Sequence, residues 1–127
     1  MKRLLLDTEA LIWWDAGDPR LGARARAAIE DASEVWVSAA SAWEIVIKQA
    51  LGKLRTTRQP ADAVADSGFD PLPVTFEHAA AVGALASHHR DPFDRLIIAA
   101  AVVEELTIVT SDPQFGLYAA PLIDARS

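Results

Sequence analysis

Halfway along the stretch His88 to Val103, HHRDPFDRLIIAAAVV, charged residues give way at Leu96 to eight consecutive uncharged, apolar ones. Asp91 followed by Pro92 reads as an N-cap with proline at the first helical position, so a helix begins there and Asp94 falls in its first turn. Leu96 to Val103 has no polar face, and a helix apolar all round must be buried among other elements. This predicts a helix whose body lies in the core and whose N-terminus brings Asp91, Asp94 and Arg95 to the surface. Chemistry is expected at that polar end.

The rest of the chain reads as strands alternating with helices. Lys2 to Asp7 is a short apolar run closed by an acid, a buried strand, with Thr8 capping a helix that carries Leu11, Ile12, Trp13 and Trp14. Asp18-Pro19 repeats the cap-plus-proline start, and Leu21, Ala25, Ala28 and Ala32 then form a helical stripe with Arg20, Arg24, Arg26, Glu30 and Asp31 toward solvent. Glu34 to Ser38 is a second strand. Ser41 starts a helix in which Trp43, Ile47, Ala50 and Leu51 share one side, and Gly52 sits where a left-handed residue ends it.

Pro60 opens a short helix ending near Gly68, Pro71 to Val74 is a weak strand, and Thr75 caps a helix to about His88. Beyond the central helix come a strand at Leu106 to Thr110, one helical turn from Asp112-Pro113, and an edge strand at Pro121 to Asp124. This alternation predicts an α/β fold: a single domain over residues 1–127, its central parallel sheet of four to five strands covered by helices on both faces. A chain of 127 residues can bury such a core without staples.

The absence of cysteine excludes disulfides, a thiolate nucleophile and zinc-thiolate sites, and points to the cytoplasm. Asp7 ends the N-terminal apolar run too early for a signal peptide, and no span is long enough for a membrane helix. A net charge of −6 argues against coating nucleic acid through general basicity and leaves local binding open.

Three acids are placed by topology. Asp7 ends the first strand, Glu44 lies in the first turn of the helix after the second, and Asp112 follows the strand Leu106 to Thr110. Parallel strands finish at one edge, so these belong together. Asp94 joins them because its helix runs antiparallel to the strand that follows it. Crowded carboxylates repel one another unless a cation sits among them, and all-oxygen donors suit Mg²⁺ or Mn²⁺. Such ions activate water and stabilise the leaving oxygen in attack on a phosphodiester.

Each acid also has a structural alternative. Glu44 completes a capping box with Ser41 or pairs with Lys48, Asp94 suits a helix N-terminus, and Asp112 is an N-cap. Asp7 is the hardest to explain structurally, since an acid closing a buried strand needs a partner. Taken jointly on one edge, the four read as a metal-binding catalytic set.

Lys48, Lys53, Arg55 and Arg58 are the only charges between Glu44 and Asp62, a basic segment suited to phosphate contact, with Arg95 at the start of the central helix as a further contact. Thr8, Thr110 and Ser111 offer supporting hydroxyls. His78, His88 and His89 lack metal-ligand spacing and read as surface residues. Trp13, Trp14, Trp36 and Trp43 read as core or subunit interface.

Leu5-Leu6-Asp7-Thr8, Ser38-Ala39-Ala40-Ser41-Ala42-Trp43-Glu44-Ile45, Leu51-Gly52-Lys53-Leu54, Arg90-Asp91-Pro92-Phe93-Asp94-Arg95 and Val109-Thr110-Ser111-Asp112 resemble the PIN domain, specifically the VapC-like toxins of bacterial type II toxin-antitoxin systems. The resemblance covers nearly the whole chain. It implies a Mg²⁺- or Mn²⁺-dependent endoribonuclease acting on structured RNA such as tRNA, with Asp7, Glu44, Asp94 and Asp112 as the acidic constellation. It further implies a homodimer held inactive by a VapB-type antitoxin whose tail lies across the active-site groove. Glu9 departs from the histidine often found there, and Ala100 or Ala101 from a glutamine. A receiver domain would need an acidic pair after the first strand and a lysine-proline near the last strands, and has neither here. A catalytically silent PIN-fold module that binds RNA or protein is the alternative.

Overall fold

A computed structural model describes residues 2–87 and 91–127. In chain order the elements are β1 (Arg3–Leu6), α1 (Thr8–Ala16), α2 (Ala23–Asp31), β2 (Glu34–Ser38), α3 (Ala39–Ala50), α4 (Pro60–Asp66), β3 (Asp70–Leu72), α5 (Phe76–Ala84), α6 (Pro92–Glu104), β4 (Thr107–Thr110), a 3₁₀ turn (Pro113–Leu117) and β5 (Leu122–Asp124). The five strands form one sheet in the order β3-β2-β1-β4-β5, parallel throughout. This is the α/β architecture expected from the alternating pattern.

β1 lies at the centre, with Leu5 opposite Trp36 of β2 and Ile108 of β4. Leu4, Leu5 and Leu6 are fully buried, because a strand covered on both faces has no solvent side to reserve for polar residues. Side-chain alternation sends Leu4 and Leu6 to one core, with Trp13, Leu21, Ala25 and Ile29 from α1, α2 and the turn between them. Leu5 points to the other core, where Ile97, Ile98, Ala100 and Ala101 of α6 meet Ile108 and Phe115.

The central helix starts at Pro92 behind the Asp91 cap, as read from sequence, and Ile97 to Ala101 are buried. Val102, however, is 44% exposed. α6 covers one face of the sheet instead of passing between two layers, so it retains an outer side despite its composition.

Two helix starts differ from the sequence reading for one reason: side chains at strand ends cap the helices earlier than expected. Asp7, not Thr8, is the N-cap of α1, and Ser38, not Ser41, caps α3. Glu44 therefore sits in the second turn of α3, and the Ser41–Glu44 capping box does not form. The outward side of α3 is the one carrying Trp43 (60% exposed) and Leu51 (62%), while Ala40, Ser41, Glu44 and Ile45 are buried. Asp18-Pro19 makes a turn, closed by Arg20 N–H to Asp18 Oδ1 at 2.9 Å, and α2 starts only at Ala23 behind Gly22. Its buried stripe uses Ile29 where Ala28 was expected.

Gly22 has a specific steric role: a Cβ there would lie 2.2 Å from the Ser127 carbonyl carbon, because the C-terminal residues pack directly on the start of α2. Thr75 caps α5 as expected, but that helix ends at Ala84. His78 is buried (1% exposed), against the surface reading: it completes the α5 capping box, and its Nε2 lies 2.7 Å from Glu104 Oε2 of α6. His88 and His89 lie outside the described residues, as does Arg90.

Candidate active site

The connections leave β1 on one side through β2 and β3 and resume on its other side at β4, so the strand order reverses beside β1. In such sheets the crevice at the carboxyl ends of the strands near the reversal is where ligands bind. A cavity of about 200 Å³ opens there, and Asp7, Glu44, Asp94 and Asp112 all line it.

Asp7 is fixed by its dual position at the end of β1 and the start of α1. Its backbone N–H extends the ladder to the Val109 carbonyl at 3.0 Å, and its Oδ1 accepts from Ala10 N–H at 2.8 Å. Only 5% exposed, its carboxyl is raised from the ordinary 3.8 to about 6. Burial is the main cause, opposed by hydrogen bonds from the Thr110 hydroxyl and Ala10 N–H and reinforced by the negative charges of Glu9 and Asp112. Thr110 Oγ1 also accepts from Asp112 N–H at 3.0 Å, so one hydroxyl joins both acids. Asp112 caps the 3₁₀ turn by accepting from Gln114 N–H at 2.9 Å.

Glu44 enters from α3, 8% exposed. The buried Thr8 hydroxyl donates to its Oε1 at 2.6 Å, and Thr8 Oγ1 lies 3.0 Å from the hydroxyl of the fully buried Ser41. Its Oε2 is 2.9 Å from Lys48 Nζ one turn on. That bond is the main reason the Lys48 ammonium is held above its ordinary value, with lesser contributions from Asp91 and Asp94.

At the start of α6, Asp91 does the capping: its Oδ1 accepts from Phe93 N–H at 2.8 Å and Asp94 N–H at 3.2 Å. The side chain of Asp94, two positions inside the helix, lines the cavity.

Glu9, noted in sequence only as a departure, also lines the cavity and accepts from the Ser111 hydroxyl at 3.0 Å, tying α1 to the loop after β4. Its position two residues after Asp7, in the first turn of α1, was the available signal. Asp91 reaches the cavity as well. Among the described residues, no three acidic or histidine side chains stand close enough to hold a metal ion as they are oriented. The acids share a cavity, and Glu44 Oε2 is engaged there by Lys48.

The basic residues separate. Lys48 lines the cavity, while Lys53 and Arg55 are exposed beyond α3. Arg58 bridges Asp15 at 2.9 Å and Asp66 at 2.7 Å. Arg95 donates to the carbonyls of Ala86 at 3.1 Å and Val82 at 3.0 Å, joining α6 to the end of α5. A larger cavity of about 380 Å³ lies alongside, with Ile12 common to both, but among the described residues Asp15 is the one carboxylate lining it.

A five-stranded parallel sheet with acids gathered at its carboxyl edge defines the class: residues 4–121 match the PIN domain model, and the chain belongs to the PIN domain family. Within that family it is VapC-like, being 34% identical over 128 residues to Ribonuclease VapC22 of Mycobacterium tuberculosis, a match covering 95% of each chain. Solved structures share the fold. These include VapBC2 from Rickettsia felis bound to a promoter DNA fragment (15% identity, TM-score 0.69, 94% of this chain and 96% of that one) and FitAcB from Neisseria gonorrhoeae (20%, 0.67, 96% and 97%).

Proposed function

We propose that this protein is a divalent-metal-dependent endoribonuclease, the toxin of a toxin-antitoxin pair, hydrolysing RNA phosphodiesters at the cavity lined by Asp7, Glu44, Asp94 and Asp112. The observation that carries this reading is the gathering of these carboxylates, from four separate stretches of the chain, into one cavity, in a chain similar along 95% of its length to a ribonuclease. The donor set fits the ion chemically, since hard carboxylate oxygens are what Mg²⁺ and Mn²⁺ take. The four acids would hold it, with changes of side-chain rotamer. When bound, the ion supplies charge neutralisation and Lewis-acid stabilisation of the charge developing on the phosphodiester oxygens.

The chain's own groups do the remaining work. Thr8 orients Glu44 through Oε1, and Thr110 holds Asp7 and Asp112 in register. Lys48, Lys53 and Arg55 meet RNA phosphates near the cavity mouth, whereas Arg58 and Arg95 stabilise the fold through the bonds they already make. Water adds to phosphorus as the bond to the leaving ribose oxygen breaks, and that oxygen takes up a proton. A VapB-type antitoxin and a homodimer complete the proposed assembly, with structured RNA such as tRNA as substrate in the cytoplasm. No helix among the described residues is long and apolar enough to cross a membrane.

The test is incubation of purified protein with total RNA in Mg²⁺ or Mn²⁺, with and without chelator, and mapping of the cut ends. Discrete cuts are expected that chelator abolishes. Asp94→Asn should retain the fold and lose cleavage, because an amide is a poorer ligand for a hard cation. Metal binding without cleavage of any RNA would leave the silent-module reading in its place.

A further inference from the structure

We infer that Lys48 is a built-in counter-cation of the carboxylate site, holding Glu44 Oε2 until a divalent ion takes that oxygen, after which the displaced ammonium meets the RNA phosphate. The inference rests on the metal-dependent reading above. Glu44 and Lys48 lie one turn apart on α3, a spacing that often gives only a weak surface pair. Here the carboxylate is 8% exposed and faces a cavity shared with Asp7, Asp91, Asp94 and Asp112. The two Glu44 oxygens have different partners: Oε1 is anchored by the buried Thr8 hydroxyl at 2.6 Å, and Oε2 by Lys48 at 2.9 Å. Only Oε2 has to change partner for an ion to enter, and the Lys48 side chain, 45% exposed, has solvent to move into.

This division leaves Glu44 one fixed and one exchangeable oxygen in a cavity also lined by Asp7, Glu9, Asp91, Asp94 and Asp112. Crowded carboxylates favour nearby positive charge, and among the described residues Lys48 is the basic one lining their cavity. Lys48 is thus a positioning residue for Glu44 before an ion binds and a phosphate contact afterwards, so that metal loading and substrate capture are linked.

The experiment is Mn²⁺ titration of the full chain without RNA, read by electron paramagnetic resonance or calorimetry, on wild type, Lys48→Gln, Lys48→Arg and Asp94→Asn. Lys48→Gln is expected to bind Mn²⁺ about three- to tenfold more tightly, the range for losing a competing, partly exposed ion pair beside further charges. Lys48→Arg should restore wild-type affinity. At saturating Mn²⁺, Lys48→Gln should raise KM for RNA more than it lowers kcat. Unchanged or weaker Mn²⁺ affinity in Lys48→Gln overturns the inference, as does an unchanged KM for RNA. Wild-type binding that weakens in Asp94→Asn keeps the metal reading whatever Lys48 does. If wild type binds no Mn²⁺, that reading fails and the Lys48 inference with it.

Discussion

Asp7 closes the central strand and starts the first helix, so the backbone places its carboxylate before any ligand arrives. Its carboxyl, raised to about 6 from 3.8, favours the protonated form in the folded chain. The associated stability is fully present below about pH 4 and lost as pH rises through 6, a difference of about 3 kcal/mol when complete. Asp7→Asn, which still caps α1, should therefore be more stable than metal-free wild type at pH 7 by up to that amount and indistinguishable at pH 4. Urea unfolding in chelator across that range checks it; a pH-independent gap would contradict the burial argument. Asp94→Asn should likewise raise the metal-free Tm, and a fall of several degrees would favour a structural role for that acid. At this scale the four acids were legible because strand ends and helix caps are written in short motifs. The burial of His78, the Thr8–Glu44 bond and the engagement of Arg58 and Arg95 were not, since their partners lie between 8 and 43 positions away.

α5 and α6 are joined at one end by Arg95 and along their packed faces by the His78–Glu104 pair. Thr75 N–H lies 3.4 Å from His78 Nδ1 as donor, which leaves Nε2 to donate to Glu104 when the ring is neutral. Removing the ring leaves a cavity and strips a partner from the Thr75 backbone. His78→Ala should cost about 2 to 4 kcal/mol, measured by urea unfolding, and a cost below about 1 kcal/mol would show that the helix pair closes over the gap. Element types and order followed from periodicity and caps. The starts of α1 and α3 did not, because a cap depends on which oxygen reaches the helix N-terminus once the preceding strand is fixed in the sheet.

For the molecule as a whole, the outward stripe of α3 carries the consequence. Trp43 packs edge-on to Phe93 at 5.1 Å between ring centroids yet stays 60% exposed, with Val46 (46%) on the same helix and Leu51 (62%) at its C-cap. Exposed aromatic and aliphatic side chains of this size suit a subunit interface. The proposed homodimer is expected to use this side, so Trp43→Glu should shift the sedimentation mass from dimer to monomer without lowering helix content. A wild-type monomer, or a variant that stays dimeric, would place the interface elsewhere. Composition, periodicity and capping motifs alone determined that this is an α/β chain with a parallel sheet and acids at one edge, because those features depend on neighbours within a few residues. The tertiary structure decided which side of α3 is covered and which oxygen of Glu44 faces Thr8 and which Lys48. Those outcomes depend on contacts that exist only once distant segments have docked, and no local pattern encodes the partner of a side chain.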